Sequence, residues 1–304
     1  MASTPLPVSE LVKINDQNVA DVEISDLLRD APVLAALPAV GASNGTLHKY
    51  NKLTTAPTVG FRSLNDGRDH DFTARTTVTE TLQILDASFD LDAAIYSSEI
   101  AAMEGRSHLQ SAFAKAEKQI FYGTTANGDA AGFSGLLNSG DLNGLSDEMV
   151  VSAGGSSAGV QSSVYLLRAT PDATGIVSVF GNDGDIQIGA AYQNMIEGTS
   201  GRYDAYVVPI VAYMALQLGS KFSAARICNV ESALTDDNLY EALALFPSSQ
   251  QPTHICMNRP ALKLLRASRT ATNATGAPAP RPTEVEGIPI IATDQIVSTE
   301  AVVS

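Results

Sequence analysis

The stretch DAAIYSSEIAAMEGRSHLQSAFAKAEKQIFY, Asp92 to Tyr122, decides how this chain is read. Apolar residues recur in it at Ile95, Ala102, Leu109, Phe113, Ala116 and Ile120, at intervals of seven, seven, four, three and four. Those intervals lay one stripe along a helix and do not fit the alternation of a strand. Asp92 stands where an N-cap belongs, and Gly123 where a left-handed C-cap belongs. A helix of roughly 30 residues is about 45 Å long. Gly105 in its middle costs roughly 1 kcal/mol against alanine, so tertiary packing has to hold that turn. The spacing predicts a long rod with one greasy side.

Upstream, Thr73 to Leu85 (TARTTVTETLQIL) reads as one strand, with Ala74, Thr76, Val78, Leu82 and Ile84 assigned to one face. Thr46 to Asp71 is polar and turn-rich, with Pro57, Gly60 and Asn65-Asp66-Gly67, and reads as a long two-stranded excursion or loop. Loops of this length usually serve a function or meet a partner. Met1 to about Gly45 is broken by Pro5, Pro7, Pro32 and Pro38. A short helix fits Ile24 to Leu28, and Ala31 to Val40 (APVLAALPAV) is too greasy to float free. Such an arm is expected to lie on its own body or on a neighbour.

Downstream, Tyr122 to Leu145 is rich in glycine and turns. Met149 to Ser152, Ser163 to Arg168 and Gly175 to Phe180 read as strands, the last two as a pair across Thr170–Thr174. Arg202 to Val211, Met214 to Leu218 and Ala225 to Val230 continue the strands. A helix starts at Thr235 with Asp236 and Asp237 in its first turn, buries Leu239, Leu243 and Phe246, and stops at Pro247. His254 to Asn258 is a short buried strand, and Pro260 opens a third helix. Thr270 to Pro282 is a loop before a final strand in GIPIIATD. There is no internal repeat.

The 304 residues leave room for two modest domains, and 44% hydrophobic residues allow a real core. Nineteen Lys and Arg against 33 Asp and Glu give a net charge of −14, with no basic run hidden in the average. That excludes general affinity for nucleic acid or anionic membranes. No apolar run approaches the ~20 residues that span a bilayer. The start, MASTPLPVSE, lacks the pattern of a signal peptide. Cys228 and Cys256 lack CxxC spacing and read as buried free thiols.

Chemistry is sparse. Gly155-Ser156-Ser157-Ala158-Gly159 matches G-x-S-x-G, but a nucleophile elbow needs a strand before it and a helix after it, and a strand follows here. Asp236 and His254 would complete a triad in chain order. His48, His70, His108 and His254 are scattered, without the i, i+4 spacing of a zinc site. Asn182-Asp183-Gly184-Asp185 lacks the ligand ladder of a calcium loop. There is no phosphate-binding glycine motif, and neither cofactor nor metal is expected. A core-poor arm, a long polar excursion, a rod and a strand-and-helix body together suit an assembly subunit, in which arms and loops gain order on neighbours.

In that order the chain resembles the major capsid proteins of tailed bacteriophages, whose fold encapsulins and herpesvirus capsid floors share. QIFYG, GFSGLLN, SVYLLRATPDATGIVSVFG, RYDAYVVPIVAYMALQL, HICMNRPALKLLRASR and EGIPIIATDQI carry the resemblance, several of them like a branch found among short-tailed phages. It implies an α+β capsid fold. The N-terminal arm would be 1–45 and the extended loop 46–72. A peripheral domain would take 73–185 and 286–304, with the spine helix at 92–122, and an axial domain 186–285. It implies a non-enzymatic, virion-located homo-oligomer of hexamers and pentamers, assembled in the host cytoplasm with scaffold, portal and cement proteins. DNA would be packaged without specific binding, and no membrane is involved. The short arm leaves no room for a fused scaffolding segment, so a separate or cleaved scaffold is expected. Assembly contacts are expected at Leu34, Leu37, Tyr50, Phe61, Arg62, Arg68 and Arg106. Lys49, Asn51 and Lys52 lie in the extended loop, but no motif transfers the Lys–Asn crosslink of some members, so none is expected. The alternatives are an encapsulin-like compartment, a tail or decoration protein, and a hydrolase using Ser157.

Overall fold

The computed structural model describes residues 5–14, 21–55, 57–67, 72–172, 174–271, 273 and 277–304. The arm gives β1 (Leu6–Pro7), α1 (Val8–Leu11), β2 (Lys13–Ile14), α2 (Asp21–Leu27), α3 (Pro32–Ala36) and β3 (Pro38–Gly41). The excursion supplies β4 (Leu47–Thr55), and its partner in a hairpin is β5 (Ala74–Thr81), which lies beyond Asp71 in the stretch read as a separate strand. Next come β6 (Gln83–Asp86), β7 (Phe89–Asp92) and the long helix α4 (Ser98–Tyr122). The body continues through β8 (Val150–Ser152), β9 (Ser162–Leu167), β10 (Ile176–Phe180), β11 (Asp185–Ile188), β12 (Tyr192–Gly198), β13 (Gly201–Val208), β14 (Ile210–Leu218) and β15 (Ala224–Val230). Then follow α5 (Asp236–Ala244), β16 (His254–Met257), α6 (Arg259–Ala271), β17 (Glu284–Val285) and β18 (Ile288–Ala292).

One sheet runs β1-β3-β10-β14-β11-β2, with β6 also on β14. A second runs β17-β18-β16-β9-β15-β8, and a third is β12-β13-β7. Residues 186–285 supply strands to all three, and each sheet also takes strands from outside that range. The sheets therefore do not divide at residue 186.

The long helix exists, but it begins six residues later than its spacing suggests. Ser97 is its N-cap, accepting a hydrogen bond from the Ile100 amide at 3.2 Å. Asp92 ends β7 instead, paired with Ala205 of β13, and its carboxylate accepts the Ala94 amide at 2.8 Å to close a turn. Sheet pairing outcompetes the cap at this point. Ile95 and Ala102 are exposed, and the buried stripe runs only from Leu109 through Phe113, Ala116 and Ile120. Gly123 ends the helix at φ +53°, where an added Cβ would fall 1.7 Å from Asn138 Oδ1. Only glycine fits that corner.

Two strand expectations are corrected. Ser163–Arg168 and Gly175–Phe180 do not form a hairpin: β9 lies between β15 and β16, and β10 lies between β3 and β14 in another sheet. Every residue of β9 and β10 is buried, so each is an interior strand flanked on both sides, not half of an exposed ribbon. Thr73–Leu85 is two strands, because Leu82 breaks the run: its amide reaches Thr46 O at 2.9 Å and its side chain is buried. Ile84, assigned to the same face as Leu82, is exposed. The later helices start where the sequence places them, although α5 ends at Ala244, short of Phe246 and Pro247. Thr235 caps α5, and Asn258 Oδ1 accepts the Ala261 amide at the start of α6.

The arm lies on its own body. Val8, Ile24, Leu28, Val33, Leu34 and Leu37 join α4 and the sheets in one apolar core.

Candidate assembly surfaces and the polar bolts beneath them

Glu117 sits on the buried face of α4, one turn from Phe113 and Ile120. Its Oε2 accepts the backbone amides of Val33 at 2.7 Å and Leu34 at 3.0 Å, and its Oε1 accepts the Thr293 hydroxyl. One carboxyl therefore ties the arm, the long helix and the segment after β18 together. Burial lifts it to about 7, against the opposing pull of the Thr293 hydroxyl and the two amides.

A second bolt lies at the end of α4. Arg226 and Glu300 form an ion pair at 2.8 Å with both side chains buried. Glu300 also accepts from Tyr122 Oη at 2.5 Å and Ser163 Oγ at 2.6 Å. Arg226 Nε donates to Ser163 Oγ at 2.9 Å and its Nη1 to Leu142 O at 3.0 Å. Tyr122 Oη in turn accepts the Val297 amide at 3.0 Å. Burial, with Tyr165 and Glu300 nearby, pushes the Tyr122 phenol up, so it stays a donor. The sequence alone singles out none of Glu117, Tyr122, Ser163, Arg226 and Glu300 for such a role. The available signals were Glu117 on an apolar helical stripe and Arg226 inside the apolar run AARICNV.

The β4–β5 hairpin is built differently. Among the described residues, β4 pairs with β5 alone. One face of β4 holds it to the body at its base. His48 Nε2 meets Gln217 Oε1 at 2.8 Å, Tyr50 Oη accepts the Leu218 amide at 3.5 Å, and Lys52 lies 3.7 Å from Asp141. Burial pushes Tyr50 up to about 12. Beyond the paired residues, Val59, Phe61, Leu64 and Phe72 are large, apolar and almost wholly exposed.

The residues named for assembly fall into different settings. Leu34 and Leu37 are buried inside the chain, so as packed neither offers a surface to a neighbour. Tyr50 is half-buried at the hairpin base. Phe61 and Arg62 stand exposed at the tip, where Arg62 Nη1 donates to Asp66 O at 2.9 Å. Arg106 is an exposed residue of α4 paired with Asp26 of the arm. Arg68 lies outside the described residues, as does His70.

The three residues of the suggested triad are not brought together. Ser157 Oγ donates to Glu231, Asp236 takes both Nε and Nη2 of Arg269, and His254 Nδ1 meets Thr253 Oγ1. Glu231 is held down to about 2 by the Ser157 hydroxyl and amide, then by Gln161 and the Ser156 amide. A carboxylate so engaged braces the loop and is a poor general base. Among the described residues no helix is long and apolar enough to cross a membrane, and no group of three His, Cys, Asp or Glu forms a metal-holding set.

The chain is similar to one in the structure of bacteriophage Epsilon15, with a TM-score of 0.64 at 19% identity over 87% of each chain. It also matches a chain of the bacteriophage JBD30 capsid, with a TM-score of 0.47 at 10% identity, over 97% of this chain and 92% of that one. A chain of an encapsulin complex from Synechococcus elongatus has a TM-score of 0.36 at 11% identity, over 62% and 84%. No curated protein sequence matches. The profile described as "Major capsid protein GP7" matches residues 16–304. The chain therefore belongs to the major capsid protein GP7 family and is a structural capsid shell protein of a phage.

Proposed function

We propose that this chain assembles as hexamers and pentamers into the icosahedral shell around the double-stranded DNA of a tailed phage. One observation carries the proposal: Val59, Phe61 and Leu64, in the span that joins β4 to β5, are large, apolar and almost wholly exposed. Several large apolar side chains exposed along one short span mark a surface that a partner covers. In this reading 1–45 is the arm, 46–72 the extended loop and α4 the spine helix. The peripheral domain is α4 with the first and third sheets. The axial domain, expected at 186–285, is centred on the second sheet with α5 and α6. The chain acts as a wall and not as an enzyme. A scaffold, a portal and cement proteins are its expected partners, and assembly takes place in the host cytoplasm.

The charge suits that role. At net −14 the wall repels packaged duplex, which stays free to leave. Tight binding of duplex DNA to isolated shells at moderate salt would overturn this part.

Electron microscopy with light scattering, on the purified chain with and without a scaffold candidate, tests the whole. Rings or icosahedral shells are the expected result. A monodisperse monomer of 31.8 kDa under every condition would sink the proposal.

A further inference from the structure

From residue 227 to residue 258 the chain has four acidic residues, Glu231, Asp236, Asp237 and Glu241, and no Lys or Arg. From 259 to 283 it has five cations, Arg259, Lys263, Arg266, Arg269 and Arg281, and no Asp or Glu. In a chain of net −14 that second block stands apart. The first block carries α5 and the second α6. The helices pack on one another and on the second sheet, α5 against β15 and β8, α6 against β9. Arg269 clamps Asp236 between them at 2.7 and 2.9 Å.

Each helix buries one face and leaves the other open. α5 buries Leu239, Ala242 and Leu243 and exposes Asp237, Tyr240, Glu241 and Ala244, spaced i, i+3, i+4, i+7. α6 buries Ala261, Leu262 and Leu265 and exposes Arg259, Lys263 and Arg266, spaced i, i+4, i+7. Arg259 is paired with Asp294. Among the described residues Lys263, Arg266 and Arg281 form no ion pair, nor do Asp237 and Glu241. One molecule thus presents an acidic helix face and a basic helix face on adjoining helices, each with charges that have no ion-pair partner among the described residues, although Arg266 Nε donates to Ala279 O at 2.8 Å.

We propose that the open face of α6 docks on the open face of α5 of a second copy, head to tail, and that this contact closes the subunit ring. Lys263 and Arg266 of one copy meet Asp237 and Glu241 of the next. Tyr240, 47% exposed, supplies the apolar centre of the contact. A heterologous, ring-closing interface joins two different faces of each copy, and opposite sign makes these two complementary. Duplex DNA is the poorer occupant, because phosphates approaching Lys263 also approach the acids of α5. The inference rests on the shell reading and names one of its contacts.

Charge reversal tests it with the full chain, under conditions where the wild type forms rings or shells. Lys263→Glu with Arg266→Glu sets acid against acid, and Asp237→Lys with Glu241→Lys sets base against base. Each pair should lower ring yield about tenfold or more, since like charges across an interface cost several kcal/mol. All four changes in one chain restore complementarity at the original net charge and should restore rings. Mixing the two double variants should restore only even-numbered rings, because copies must alternate around the ring. Thermal unfolding of each monomer checks folding, and the four-change rescue keeps the test decisive if one pair folds poorly. Double variants that assemble like the wild type would overturn this contact alone. So would loss of scaffold or duplex binding with assembly intact, which would give α6 an anionic partner of another kind. A wild type that never forms rings overturns the shell reading itself.

Discussion

At the buried end of α4, Glu117, Tyr122, Arg226 and Glu300 are polar or charged and shut away from water. At the tip of the β4–β5 hairpin, Val59, Phe61 and Leu64 are apolar and stand almost wholly in water. Each region inverts the usual distribution, and for a different reason. Buried charges are tolerable when every hydrogen-bonding site is filled, and Arg226 and Glu300 have partners on three separate segments. They fix which segments meet. Exposed apolar groups gain little within the subunit, and in the proposed shell a neighbour covers them. Substitutions at the bolts should therefore damage the monomer, and substitutions at the tip should damage only the assembly.

The largest effect is expected from Glu300→Ala. It strands the Arg226 guanidinium in the core and unpairs Tyr122 and Ser163, at a cost of roughly 3–5 kcal/mol. Urea unfolding of the monomer measures it. A loss under about 1 kcal/mol would mean that water reaches the pair, and the contrast with the tip would collapse. Leu34→Ala comes next, at about 3 kcal/mol, because the site is fully enclosed between arm and helix. A near-neutral result would show the arm detached from its own body.

Glu117 sharpens the comparison through pH. Burial raises it from 4.5 to about 7 in the folded chain. An acid raised by folding contributes stability that is complete below about pH 4.5, where it is protonated in both states, and that is lost as pH rises through about 7. Glu117→Gln keeps an acceptor for the Val33 and Leu34 amides and removes the titration. Between about pH 5 and 8 the wild type should lose roughly 2–3 kcal/mol more stability than the variant. Parallel stability curves would show that Glu117 is charged throughout.

The sequence carried the long helix and its glycine stop, because each is written in local spacing or turn chemistry, but only the first strand of the β4–β5 hairpin lies inside the excursion that its turn residues mark. It misplaced the helix start because Asp92 serves a strand and a turn equally well, and only pairing with Ala205 decides between them. It paired β9 with β10 because neighbours in sequence usually pair, whereas both strands are buried on both faces and belong to different sheets. Leu34 and Leu37 looked like contacts for a neighbour because their segment has no core of its own. They join the common core instead, and nothing in residues 31–40 distinguishes those outcomes. The bolts were the least legible, since Glu300 meets Arg226 only after the chain has closed across 74 residues.

The smallest effect on the monomer is expected at Phe61, and it is the most informative. Phe61 touches no core residue and carries no load in the isolated chain, so Phe61→Ser should leave unfolding unchanged within about 0.5 kcal/mol. The same change removes an aromatic anchor from the proposed inter-subunit contact, where truncating such a residue costs about 2 kcal/mol or more. Shells carry that loss at every copy, so the concentration needed for assembly should rise at least tenfold while the monomer melts as before. Light scattering against concentration and thermal unfolding of the monomer give the two readouts. A destabilised monomer would place the tip on its own body. An unchanged assembly threshold would leave the exposed apolar tip without a partner, and the division of labour between bolt and hairpin would fail at its outer end.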